Sequence, residues 1–198
     1  MFDLQKKLGG RRVILASASP RRKELLKLVF DDFEIIPAEC EENIPEGTPA
    51  GEASKLLAEQ KCREVAERYP EALVIGCDTT VLLGEEILGK PEDEKDAFRM
   101  LRMLSGTRHS VVTGIALSLC GKLRSLPCET FVRFRRLSDE DINEYIATGE
   151  PADKAGAYGI QERGALLVSG IEGDFFNVVG LPVSELAQLA EEMLSEVE

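Results

Sequence analysis

The sequence predicts an α/β fold in a single domain, residues 1–198. Short apolar runs of strand length, such as "VILA" at 13–16 and "ALVIGC" at 72–77, intermix along the whole chain with segments whose apolar residues recur at helical spacing. Glycine, proline and hydroxyl residues punctuate the joins between them. The hydrophobic fraction of 43% is that of an ordinary globular core, and there are no repeats or low-complexity tracts.

Each element follows from its own signal. Val13-Ile14-Leu15-Ala16 reads as a buried strand, and Ser19 with Pro20 opens a helix whose apolar stripe is Leu25, Leu26 and Val29. "FEIIPAECEENIPEG" is a strand running into an acidic loop. Thr48-Pro49 starts a second helix with Ala58, Cys62, Val65, Ala66 and Tyr69 on one face. "ALVIGCDTTVLL" carries the strongest strand signal, with Asp78 where the strand is expected to leave the core, and a turn follows at Gly84-Glu85-Glu86. Asp93 to Ser105 is a helix stopped by Gly106, with Ala97, Met100, Leu101 and Leu104 inward. Residues 109–119 and 123–137 form a hairpin around Cys120-Gly121-Lys122. Ser138 and Asp141 bracket a capping box for a helix through Ile146. Residues 147–165 are a long glycine-rich loop, a strand at Leu166 to Ser169 follows, and an acidic amphipathic helix closes the chain.

Charge and cysteine usage narrow the function classes. With 36 acidic and 24 basic residues the net charge is −12, which repels nucleic acid and anionic membrane surfaces. Five cysteines, odd in number and without C-x-x-C spacing, fit buried thiols in a reducing compartment rather than a disulfide framework or zinc knuckle. The first apolar stretch is too short for a signal peptide and no segment reaches transmembrane length, so a cytoplasmic protein is expected.

The chemistry-bearing residues are few. In "SASPRRKELL", hydroxyls and Arg21 and Arg22 stand at the start of a helix, where backbone N–H groups and guanidinium forks suit a phosphate; taken alone, a surface capping turn explains it slightly better. Asp78 in "CDTTV" is equally a solvated strand end or a site residue. Glu39, Glu41 and Glu42 are ordinary wet surface unless one of them meets Asp78 around a divalent cation. Lys90 in "GKP" says little alone, Lys154 and Gln161 lie where glycines let backbone approach a ligand, and His109 reads as structural. There is no phosphate-binding G-x-x-x-x-G-K-[ST], no dinucleotide fingerprint and no zinc-protease motif. Arginines, lysines, carboxylates and threonines remain, a set able to hold a polyphosphate and a metal.

Together, "ILASASPRRKELL", "CDTTV", "LGKP", "LRMLSGTRHSVVTGIAL", "DKAGAYGIQ" and "IEGDFFNVVGLP" resemble, in order, the motifs of the Maf family of nucleoside triphosphate pyrophosphatases. The resemblance spans essentially the whole chain. It implies an elongated mixed β-sheet flanked by helices, two lobes with a central cleft as in inosine triphosphatases, and often a homodimer. It implies metal-dependent cleavage of a nucleoside triphosphate to the monophosphate and pyrophosphate. Carried over by position, Asp78 matches the proton acceptor, and Ser17, Arg22 and Lys90 match the phosphate region. Glu42, with Asp78, matches the metal site. Arg21, Thr79 and Gln161 match the positions that select the base, in the combination of the dTTP and UTP branch. Asn43 stands where a hydroxyl is common and Glu162 where glycine is common. The competing expectations are a nucleotide-binding regulator of septum formation and a pyrophosphatase for modified purine triphosphates.

A metal is required by arithmetic as well as by resemblance. An ordinary Asp pKa lies about 12 units below that of bulk water, and an unassisted transfer across that gap costs on the order of 16 kcal/mol. Magnesium or manganese suits an all-oxygen site.

Overall fold

The computed structural model describes residues 3–196. The elements in chain order are α1 (Leu4–Lys7), β1 (Val13–Leu15), α2 (Pro20–Leu26), β2 (Glu34–Ile35), α3 (Ala50–Arg68), β3 (Leu73–Leu83), β4 (Glu86–Leu88), α4 (Glu94–Leu104), β5 (Arg108–Leu119), β6 (Lys122–Phe134), α5 (Asp139–Ile146), β7 (Val168–Glu172), α6 (Phe175–Val179) and α7 (Val183–Ser195). The α/β class is borne out. The strands share one mixed sheet in the order β2-β1-β3-β5-β6-β7, with β4 paired to β3. β1 lies parallel to both β2 and β3, whereas β3–β4 and β6–β7 are antiparallel.

Local chemistry sets the boundaries. Ser19 caps α2 by accepting from the Arg22 N–H, with Pro20 in the first turn, and Asp93 caps α4 by accepting from the Asp96 N–H. The Ser138–Asp141 capping box at α5 is complete in both directions. The β5–β6 hairpin turns on Cys120 and Gly121, both at positive φ (50° and 77°), the geometry that a two-residue turn demands.

Four expectations shift. α2 stops at Leu26, so Val29 lies beyond it and is half-buried. β3 ends at Leu83, as expected, but Asp78 lies inside it rather than where it leaves the core. The long loop is shaped by 3₁₀ turns at Glu150–Asp153, Ala155–Ala157 and Glu162–Leu167. The last of these takes Leu166 and Leu167, so the following strand starts at Val168 and ends at Glu172.

The chain packs as two compact units, residues 3–78, 113–128 and 180–196, and residues 79–112 and 129–179. In the first, α3 covers β1 and β3 through Ile14, Ala16, Ala58, Cys62, Val65, Val74 and Ala116. In the second, α4 and α5 bury Met100, Leu101, Leu104, Ile142 and Tyr145 with Val81, Val111, Val132 and Phe134 of the strands. Among the described residues no helix is long and apolar enough to cross a membrane.

Candidate functional site

The first unit carries Ser17, Arg21, Arg22, Glu42 and Asp78. Ser17 follows β1 and is 9% exposed. Its hydroxyl oxygen accepts from the Ser19 N–H at 3.3 Å and from Arg22 Nη1 at 3.2 Å. Nη1 also donates to the Cys77 carbonyl and Nε to the Gly180 carbonyl, each at 2.9 Å. One guanidinium therefore fastens the turn after β1 to the middle of β3 and to the segment preceding α7. Because two donors already point at the Ser17 oxygen, its own proton is aimed elsewhere, as a donor. Arg21, half-buried, is the preceding residue of α2. Burial pushes the neighbouring Cys77 thiol up to about 11, against the pull of Arg22, so it is inert near neutrality.

Asp78 meets Glu42, and the group that joins them is Lys61 of α3. Lys61 Nζ lies 2.6 Å from Asp78 Oδ1 and 2.8 Å from Glu42 Oε1. The Lys61 and Asp78 side chains are only 17% and 14% exposed, and Glu42 reaches them from the wetter side at 54%. Burial alone would lower the lysine pKa; the Asp78 charge and hydrogen bond, joined by Glu42, outweigh it and hold the ammonium above its ordinary value.

Two glycines bring α3 close enough for this. A Cβ on Gly76 of β3 would lie 2.3 Å from the Ala58 carbonyl oxygen, and one on Gly114 of β5 would lie 2.3 Å from that of Ser54. The helix backbone thus rests directly on the strands, and Lys61 and Asp78 come within hydrogen-bond reach. α3 also holds the acidic loop: Gln60 exchanges two hydrogen bonds with the Asn43 backbone (2.5 and 3.0 Å), and Glu64 accepts from the Glu39 N–H at 3.0 Å.

Sequence reasoning did not single out Lys61. Its one signal is a lysine beside Cys62, at the border of the buried face of α3. Its partners sit 19 and 17 residues away, so nothing local reveals the pairing.

The donor set suits a hard divalent cation. Asp78 and Glu42 are oxygen donors of the kind such an ion takes. The Lys61 ammonium fills the point where Oδ1 and Oε1 converge, so a cation would use their other oxygens or displace it. No third histidine, cysteine or carboxylate joins them at ligand spacing among the described residues. Magnesium typically takes one or two carboxylates and completes its shell with substrate oxygens and water.

The second unit carries Thr79, Lys90 and Gln161. Thr79 is half-buried and follows Asp78 directly, so alternation along β3 directs the two side chains to opposite faces. Lys90 is exposed just past β4, where the Gly89 carbonyl accepts from the Gly156 N–H at 2.9 Å. Gly156 has φ 68°, and a Cβ there would strike Val81 at 2.9 Å, so the glycine-rich segment docks by its backbone. Lys154 donates to the Glu150 carbonyl (2.6 Å) and to Asp153 Oδ1 (2.7 Å) and so serves its own loop. Gln161 is exposed and precedes the third 3₁₀ turn. His109 is structural: it lies edge-on to Phe134 and Tyr158, its Nε2 is 2.8 Å from the Tyr158 hydroxyl, and burial lowers its pKa to about 4.

Comparison with known proteins gives the class first. The solved structure of a HAM1 protein from Coxiella burnetii matches with a TM-score of 0.50, covering 92% of this chain and 99% of that one. At 16% identity that likeness concerns the fold alone. Sequence gives the family. Residues 12–193 match the model described as Maf-like protein. A dTTP/UTP pyrophosphatase from Ruminiclostridium cellulolyticum is 47% identical over 191 residues, covering 94% of this chain and 98% of its own. One from Geobacillus sp. (strain WCH70) is 53% identical over 175 residues, covering 88% and 94%. The chain belongs to the Maf family.

Proposed function

We propose that this protein hydrolyses dTTP and UTP to the monophosphate and pyrophosphate. The observation that carries the reading is the Asp78–Lys61–Glu42 cluster, built from half-buried Asp78 of β3, Lys61 of α3 and the acidic loop, in a chain whose relatives bear that activity in their names. Water attacks the α-phosphorus, the bond from that phosphorus to the bridging oxygen breaks, and pyrophosphate leaves with the bonding pair. Asp78 accepts the proton of the attacking water. Lys61 fixes the orientation of the Asp78 carboxylate and lets two negative groups share one site. Ser17 offers its hydroxyl proton to a phosphate oxygen, and Arg22 holds the turn that presents it. Lys90 supplies positive charge for the departing pyrophosphate. A magnesium or manganese ion held by Asp78 and Glu42 would contribute charge neutralisation and Lewis acidity.

Base choice falls to Arg21, Thr79 and Gln161. An amide both donates and accepts, so Gln161 pairs with the carbonyl and imide N–H of a uracil or thymine ring. Cytosine, with an unprotonated ring nitrogen and an amine, mismatches it, and such mismatches cost several powers of ten in kcat/KM. A pyrophosphate-release screen over the canonical triphosphates tests this. dTTP and UTP are expected to lead and CTP to be poor, with activity lost in chelator and restored by magnesium or manganese. Faster hydrolysis of GTP than of UTP at matched concentrations overturns the base assignment; full activity in excess chelator overturns the metal.

A further inference from the structure

Gln161 stands on a turn with an unusual support. Two residues before it, the Gly159 N–H donates to the Tyr145 hydroxyl at 3.1 Å. Beyond it, the N–H groups of Arg163 and Gly164 donate to the two carboxylate oxygens of Glu150, each at 3.2 Å. The ends of the turn touch: a Cβ on Gly164 would lie 1.8 Å from the Gly159 carbonyl oxygen and 2.8 Å from the Tyr145 hydroxyl. Between them Glu162 is forced to φ 54°, a conformation that L side chains rarely adopt. Segment 159–164 is therefore a closed loop, gripped on both sides of Gln161 by side chains of α5 and of the first 3₁₀ turn. Burial holds the Tyr145 phenol far above its usual range, against the Gly159 N–H, and the nearby Glu150 charge acts in the same direction as burial.

We propose that Glu150, assisted by Tyr145, is a positioning residue for base selection, fixing the direction in which the Gln161 amide is presented. This rests on the base-selecting role of Gln161 proposed above. An amide discriminates an imide from an amine only when it is held in one orientation; a turn free to rotate would present donor and acceptor interchangeably. A carboxylate across two adjacent backbone N–H groups suits this task, because each oxygen satisfies one donor and both are lost together if the turn flips.

Glu150→Gln tests the proposal, since the isosteric amide keeps one accepting oxygen and turns an NH₂ towards the other donor. The UTP-to-CTP ratio of kcat/KM is expected to fall about tenfold while kcat on UTP stays within about threefold. Hydrogen exchange at the backbone amides of residues 161–164 is expected to quicken. In a Gln161→Ala background the same substitution should leave the residual ratio unchanged. A merely structural Glu150 would lower thermal stability and kcat while sparing the ratio, or would shift it equally in both backgrounds; either result overturns the proposal. If Glu150→Gln does not fold, Tyr145→Phe removes the acceptor for the Gly159 N–H together with the hydroxyl's hydrogen bond to Glu150, and a ratio unchanged by it overturns the proposal as well. A wild-type protein indifferent to UTP and CTP sinks the base assignment and this inference together. A discriminating wild type whose ratio survives Glu150→Gln sinks only the inference.

Discussion

The two units secure their candidate residues by different physics. In the first, Asp78 and Glu42 are held by charge: a half-buried ammonium bridges them, and a guanidinium braces the turn that carries Ser17. In the second, Gln161 is held through its backbone: the N–H groups on either side of it are gathered by Tyr145 and Glu150 around a turn with no room for a Cβ at Gly164. Chemistry that moves a proton needs a preset electrostatic environment, which charged partners create. Discrimination between similar bases needs a fixed direction, which backbone geometry supplies. Perturbing the charge cluster of the first unit should therefore strike turnover, and perturbing the grip on the Gln161 turn of the second should strike selectivity or stability.

The largest effect is expected from Asp78→Asn. The amide keeps the size of the carboxylate but cannot take the proton, so kcat should fall by about 10²–10⁴ while nucleotide binding, read by calorimetry, persists. Unchanged kcat would remove Asp78 from the role of base.

Acid provides the converse test, acting on a buried imidazole of the second unit to which no role in the chemistry is given. The His109 imidazole takes its proton near 6.5 in the unfolded chain but only near about 4 when folded, because burial penalises the charge. Its contribution is thus complete above pH 6.5 and drains as pH falls towards 4, amounting to a loss on the order of 3 kcal/mol. Denaturant midpoints measured across that window should decline, and His109→Gln should flatten the slope. An equal slope in both proteins would assign the acid sensitivity to other groups.

Gly76→Ala probes the scaffold under the charge cluster. Its Cβ would meet the Ala58 carbonyl at 2.3 Å, so α3 must lift from β3 and carry Lys61 away from Asp78. A stability loss of about 1–3 kcal/mol with a disproportionate drop in kcat is expected. An activity that tracks only the folded fraction would show that α3 is not what sets the cluster. The smallest effect belongs to Glu162→Gly, which relieves the left-handed backbone at φ 54° and should stabilise the protein by up to about 1 kcal/mol. A lower melting temperature would show that the Glu162 side chain contributes more than its backbone costs.

Much of this was legible from local pattern. The caps at Ser19, Asp93 and Ser138 reach donors within three residues, so their sequence signatures are nearly sufficient. The inward face of α4 is a matter of period, and the β5–β6 hairpin is announced by its turn. The polarity of Asp78 and Thr79 was visible, but reading Asp78 as the point where β3 leaves the core misplaced it, because burial resumes at Thr80 and the strand pairs with β4 on to Leu83.

What the sequence by itself determined was the identity of elements set by near neighbours, and the order of motifs that resembles the Maf family. Only the tertiary structure decided that Lys61 joins Asp78 to Glu42, that Arg22 spends two of its nitrogens on backbone carbonyls, and that Glu150 grips the turn of Gln161. These pairings join residues 13 to 158 positions apart, and glycines at 76, 114 and 164 set the spacing for two of them by admitting backbone where a Cβ would not fit. A glycine in a sequence shows that space could be yielded; which atoms fill it depends on how the chain returns upon itself.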